Sequence, residues 1–240
     1  MSPRWIAIIL LAGAVSPVSA QLPPSAIPPA PSGKSDIDLV QKLLTVRKDY
    51  QTTLEQMRQH YMQAGDLERA KWAEEELRQY HRIPKQAFRL ELDVPPPTLP
   101  TQVNVPEANQ LFMRAVGFKD KGWGTDYIDN QRRAEILFQE LLTKYPQSSK
   151  ISDSAYMLGD LYEKAPYKMF RRAATYFERC FQWNPATPYD ARLRAAHLYD
   201  RQHLDRGRAI ELYREVTTHS TDSRIVQEAQ RRLTELSGSR

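Results

Sequence analysis

Three stretches of this chain repeat one pattern. Ala134-x3-Phe138-x2-Leu141 ends at Pro146, Ala173-x3-Phe177-x2-Cys180 ends at Pro185, and Ala209-x3-Tyr213-x2-Val216 ends at Thr221. The alanines fall 39 and 36 residues apart. Self-similarity at such a period marks units that cannot bury their apolar faces alone and must stack on their neighbours. A second helix lies upstream of each alanine with matched positions of its own: Leu111, Ala115 and Phe118, then Leu158, Gly159 and Tyr162, then Ala195, Ala196 and Tyr199. No alternating strand pattern interrupts residues 107–236, so the expected fold is all-α, an α-solenoid of helix-turn-helix repeats.

The stretch SAYMLGDLYE, Ser154 to Glu163, reads as an amphipathic helix except at Gly159. Glycine in a helix interior costs about 1 kcal/mol relative to alanine, so its presence there requires a packing reason. Ala115 and Ala196 are also small at this register, which points to a crossing where two backbones approach closely. Leu158-Gly159-x2-Tyr162, followed by Ala173-x3-Phe177 and Pro185, resembles the tetratricopeptide repeat, W-x2-L-G-x2-Y, A-x3-F, P over about 34 residues. The resemblance covers residues 107–236 as three repeats and implies that Gly159 sits where the first helix of a unit crosses its second. It implies a repeat-packing set of Ala115, Ala134, Phe138, Leu158, Gly159, Tyr162, Ala173, Phe177, Ala196, Tyr199, Ala209 and Tyr213. No tryptophan occupies the first consensus position, and the turns are longer, GWGTDYI being inserted in the first unit. SRIVQEAQRRLTEL then presents Val226, Ala229 and Leu233 on one side, as a C-terminal cap helix does.

The N-terminal half divides at proline. MSPRWIAIILLAGAVSPVSA, residues 1–20, has a basic start, a short apolar run and small residues at the cleavage positions, so it reads as a signal peptide cut after Ala20. About ten apolar residues fall short of the roughly 30 Å of hydrocarbon that a membrane anchor spans, so no stable anchor is expected after cleavage. Residues 21–34 and 93–106 are proline-dense and nearly uncharged, which favours extended spacers, with a proline-rich ligand as the alternative for the second. Between them, residues 35–92 read as a helical hairpin, a divergent repeat or an oligomerisation unit. SDID at Ser35 looks like a capping box, and Leu43, Tyr50, Leu54, Met57 and Tyr61 recur in coiled-coil steps. The turn falls at AGD, with Gly65 turning and Asp66 capping, and Ala70, Ala73, Leu77 and Tyr80 form the second helix's face.

Chemistry is sparse. The motifs HExxH, GxSxG, GxxxxGKS, GxGxxG and paired CxxC are all absent, so no catalytic, cofactor-binding or metal residues are assigned. Cys180, the sole cysteine, falls on an inward helix face as a small apolar filler, and its solitude excludes an intramolecular disulfide. No cysteine follows the cleavage site to carry a lipid. His197-x2-Asp200-x2-His203 is the sharpest metal candidate, but six residues turn the second histidine off the shared face, which favours a polar helix end. The chain carries 34 Lys and Arg against 29 Asp and Glu, too mild an excess for a sequence-independent nucleic-acid binder. Trp123 and Tyr127 in the inserted loop either form an exposed aromatic site or fold back over the repeat's end.

In layout the chain is similar to bacterial envelope repeat proteins of the Tol-Pal-associated and outer-membrane-assembly kinds. That resemblance implies an exported, periplasmic or envelope-associated adaptor that binds a protein partner along the first helices of its repeats. The groove positions carried over by register include Phe112 in the first unit, Asp153, Tyr156, Asp160 and Glu163 in the second, and Asp190, Leu193, His197 and Asp200 in the third. Their acidity predicts a protein or peptide partner with a basic segment, anchored on Phe112 and Tyr156. The alternatives are a peptidoglycan-acting enzyme that uses Asp153, Asp160 and Glu163, and a homo-oligomer formed through the N-terminal helix.

Overall fold

The computed structural model describes residues 36–99 and 103–238, and ten helices lie among them. α1 (Asp36–Gln63) and α2 (Leu67–Arg82) form a hairpin, followed by a single turn, α3 (Leu90–Asp93). Then come α4 (Pro106–Phe118), α5 (Gly124–Lys144), α6 (Ile151–Glu163), α7 (Phe170–Trp183), α8 (Ala191–Arg201), α9 (Arg206–His219) and α10 (Ser223–Gly238). Sequence neighbours pack as pairs, α1 with α2, α4 with α5, α6 with α7 and α8 with α9, while α10 covers α9. Contacts of α5 with α6 and of α7 with α8 join one pair to the next, so the chain is an all-α stack of helix-turn-helix pairs. The expected leader, the first proline-rich segment and Ser35 of the capping box lie outside the described residues.

The repeated sequence positions build these pairs. Ala134, Phe138 and Leu141 on α5, Ala173, Phe177 and Cys180 on α7, and Ala209, Tyr213 and Val216 on α9 are all buried. Leu158, Gly159 and Tyr162 meet them from α6, as Leu111 and Ala115 do from α4 and Ala195 and Ala196 from α8. Phe118 and Tyr199 are half-buried against the same core. Burying one large apolar side chain stabilises by about 1.5–3 kcal/mol, so this repeated apolar set outweighs helix propensity in holding the pairs together. Gly159 faces the Phe177 ring with no room for a side chain, which is the reason for a glycine in mid-helix.

The hairpin turns where the sequence signals. Gly65 adopts φ +75°, and Asp66 caps α2 by accepting from the Arg69 N–H at 3.1 Å. Ala70, Ala73 and Leu77 are buried, and Tyr80 donates its hydroxyl to the Arg47 carbonyl at 3.0 Å. α1 meets α2 along much of the expected stripe: Leu54 is buried, and Tyr50 packs its ring 5.2 Å from Tyr80 and donates its hydroxyl to Glu76, while Met57 is 41% exposed and Val40, outside the stripe, is buried as well.

The second proline-rich segment is not a free spacer. Val94 is buried in the core, and the Pro95 and Pro96 carbonyls accept from Arg179 Nε at 2.7 Å and Trp183 Nε1 at 3.0 Å, both on α7. Arg172, also on α7, donates to the Lys85 carbonyl at 3.2 Å and lies 3.9 Å from Asp93. Beyond residues 100–102, which are not described, Val103 N–H donates to the Gln147 carbonyl at 3.1 Å and its carbonyl accepts from Ser149 at 2.9 Å. Extended proline-rich backbone offers carbonyls with no internal partner, and donors on α7 satisfy them. The hairpin is also tied down directly, by a two-pronged ion pair from Arg82 to Asp129 on α5, both prongs 2.8 Å long.

Candidate functional site

The positions expected to form an acidic groove are engaged within the chain. Asp160 is buried and accepts from Arg194 Nη1 at 2.7 Å, from Lys164 Nζ at 2.9 Å and from Lys119 Nζ. Burial pushes its carboxyl up, but the bonds from Lys119, Lys164 and Arg194 outweigh burial and hold it below its ordinary range. Glu163 accepts from Arg194 Nε at 3.0 Å. Asp153 accepts from Lys150 at 2.8 Å, and Asp200 from Arg232 Nε at 2.9 Å and the Tyr213 hydroxyl at 3.0 Å. Asp190 accepts from the Tyr156 hydroxyl at 2.6 Å, and burial together with this bond pushes Tyr156 up to about 12. Tyr156 stacks on Tyr189 with centroids 4.2 Å apart, and Phe112 and Leu193 are buried. His197 is half-buried 3.6 Å from Glu228, and burial, helped by Arg201, lowers its pKa.

These carboxylates therefore act as joints. Arg194 of α8 ties to α6, Lys119 at the end of α4 ties to α6, and Arg232 of α10 ties to α8. A basic ligand on this face would have to displace charge-assisted hydrogen bonds already made. Among the described residues no group of three or more ligating side chains could hold a metal ion, His197, Asp200 and His203 included. Cys180 is buried with its thiol 3.5 Å from both the Ser152 and Thr187 hydroxyls, and burial pushes that thiol up, away from reactivity. The expected loop is mostly helix, since α5 starts at Gly124: Trp123 just before it is 88% exposed, whereas Tyr127 on its first turn donates to the Ala165 carbonyl at 3.3 Å.

A different site forms where the hairpin meets the first repeat pair. A trough of about 790 Å³ opens between α1, α2 and α5. α1 lines it from Glu55 through Arg58 to Met62, α2 from Glu74 through Leu77 to Arg82, and α5 from Asp129 through Arg132 to Ile136. Each wall is one helical stripe with i, i+3, i+4 and i+7 spacing, about two turns long. Leu77 and Ile136 give an apolar floor, while five arginines against three carboxylates leave an excess of two positive charges on the walls.

Two of these arginines make no ion pair among the described residues, although the charge of Arg133 is felt by Asp129. Arg58 makes no hydrogen bond or ion pair among the described residues, and Arg133 lies over the Phe118 ring at 5.6 Å without a bonded acid. Arg132 is only 5% exposed, stacks on the Tyr167 ring at 3.8 Å and reaches Glu135 at 3.2 Å, yet its Nε is buried with no partner. The neighbouring bases register the same field. Burial and then Lys85 lower His81, Arg132 adding to this against Glu55 and Glu135. Burial brings Lys85 itself down to about 8, with Arg132 and Arg47 reinforcing and Glu135 opposing.

The sequence gives little sign of this trough because its third wall, α5, comes from far downstream of the hairpin, Asp129 lying 47 residues beyond Arg82. The available signal was local: the pair Arg132 and Arg133 beside the apolar Ile136, immediately after the inserted loop. Compared with protein-family models, with curated proteins and with solved structures, the chain finds no match.

Proposed function

We propose that this protein is an exported, non-catalytic tetratricopeptide-like adaptor of the cell envelope that binds a protein partner non-covalently in the trough between its hairpin and its first repeat pair. One contrast carries the reading. The trough has an apolar floor and an excess of positive charge, with Arg58 and Arg133 outside any ion pair, whereas the carboxylates on the first helices of the repeats already hold partners of their own. Charge in excess around apolar surface is what a partner can recognise, and satisfied charge is what holds a scaffold rigid. The leader-like first twenty residues support export, and the succession of helix pairs supports a scaffold role.

Co-purification from envelope extracts tests the proposal. Arg58→Glu combined with Arg133→Glu should lose the partner that wild type retains, at unchanged melting temperature. Asp153→Lys, on the opposite candidate face, should keep it. Loss with Asp153→Lys and retention with the arginine pair would overturn the reading.

One observation favours a second reading, self-association through α1: Leu39 is 70% and Val46 54% exposed on the face turned away from α2. Light scattering of the full chain and of a Leu39→Glu, Val46→Glu variant decides it. A wild-type dimer that the variant dissolves would establish this reading, and a monomer in both would end it.

A further inference from the structure

We infer that the trough takes an amphipathic α-helix whose apolar stripe is flanked by carboxylates, an inference that rests on the trough being the binding site. Shape comes first. All three walls are helical stripes, and none offers a strand edge, so the trough cannot add a strand but can receive the side chains of a helix laid along it. Two turns of wall, about 12 Å, match two turns of ligand, whose residues at i, i+3, i+4 and i+7 would meet Leu77 and Ile136 on the floor.

Charge then sets the polarity. Arg58 on the α1 wall and Arg133 on the α5 wall flank that floor outside any ion pair, placed to meet carboxylates on both sides of an apolar stripe. Arg132 lies deeper on the α5 wall, 5% exposed and stacked on Tyr167, and adds its charge to the same side. The chain's own N-terminal segment does not fit, because residues 1–34 contain Arg4 and Lys34 and no carboxylate. The occupant is therefore another protein's acidic helix.

The test is fluorescence anisotropy on the full chain with three short labelled peptides that share one leucine stripe. The first has Glu on both flanks, the second has Lys, and the third is the Glu peptide with a central proline that breaks the helix. We expect the Glu peptide to bind about tenfold or more tighter than either of the others. Arg58→Glu with Arg133→Glu should reverse the Glu-over-Lys preference, and circular dichroism should show both exposed substitutions folded. Equal binding of Glu and Lys peptides, both blocked by Ile136→Glu, would overturn the acidic assignment while leaving the trough as the site. Equal binding of the proline-broken peptide would overturn the helical assignment. Binding by none of the three, or binding that Ile136→Glu and the arginine pair leave untouched, would overturn the trough itself.

Discussion

Gly159 and Phe177 stand so close that a Cβ built on the glycine would lie 2.7 Å from the aromatic ring. That distance is well inside a normal carbon contact, so the glycine on α6 and the phenylalanine on α7 are one packing decision. Gly159→Ala should gain about 1 kcal/mol in helix propensity and lose about 1–3 kcal/mol to overpacking, for a net loss. Phe177→Leu should relieve the clash, so the double variant should be more stable than the two single losses sum to, by about 0.5–3 kcal/mol of coupling. Urea midpoints of the four proteins check this, and strict additivity would contradict it.

Arg194 bridges α8 to Asp160 and Glu163 on α6. Arg194→Met should destabilise by about 1–3 kcal/mol, because it leaves Asp160 buried with fewer donors. The carboxyl's native pKa lies below its ordinary 3.8, so its stabilisation is complete above pH about 4 and is lost as pH falls below that. Asp160→Asn should be less stable than wild type at neutral pH and show a flatter loss below pH about 4. Urea midpoints across the acid range give the comparison, and parallel curves would mean that Asp160 is not held by these cations.

Trp183 and Arg179 fasten the proline-rich segment by donating to Pro96 and Pro95. Trp183→Phe removes one of these donors and should cost about 1 kcal/mol. Limited proteolysis, read by mass spectrometry, should show faster cutting within residues 93–106 than in wild type. Unchanged cutting would show that the segment is held by other means.

His81 faces Lys85, Arg132, Glu55 and Glu135, and its pKa lies below the ordinary 6.5. The unfolded chain therefore binds the proton more readily, so stability rises with pH toward 6.5 and falls as pH drops through the native value. His81→Gln should flatten that part of the profile, and an NMR titration of the His81 ring should give a midpoint below 6.5. His197 and His203 are lowered too, so the variant should remove only part of the slope.

The helix pairs were legible in the sequence because their determinants are local and periodic. Ala173 and Phe177 share a face four residues apart, and Gly159 is explained by the partner helix that follows it. Asp66 capped α2 as its spacing indicated. The charges were not legible, since a carboxylate gives no sign of its distant partner: Arg194 reaches Asp160 across 34 residues, Lys119 across 41, and Arg82 reaches Asp129 across 47. An acidic face in the sequence thus became a set of joints in the fold. The proline-rich segment hid for the same reason, its carbonyls meeting α7 donors more than 80 residues away. α1 was legible in part: Tyr50 and Leu54 meet α2 as spaced, while Met57 of the same stripe is 41% exposed and Val40, outside it, is buried.

The central claim is that a partner enters the trough and not the face of the repeats' first helices. Photo-crosslinking in the native envelope tests it most directly, with the photoreactive residue placed at Met62 on the trough rim in one protein and at Tyr156 on α6 in another. One dominant protein adduct is expected from Met62, joined through an acidic helical segment, and no matching adduct from Tyr156. A dominant adduct from Tyr156 through a basic segment, with none from Met62, would contradict it.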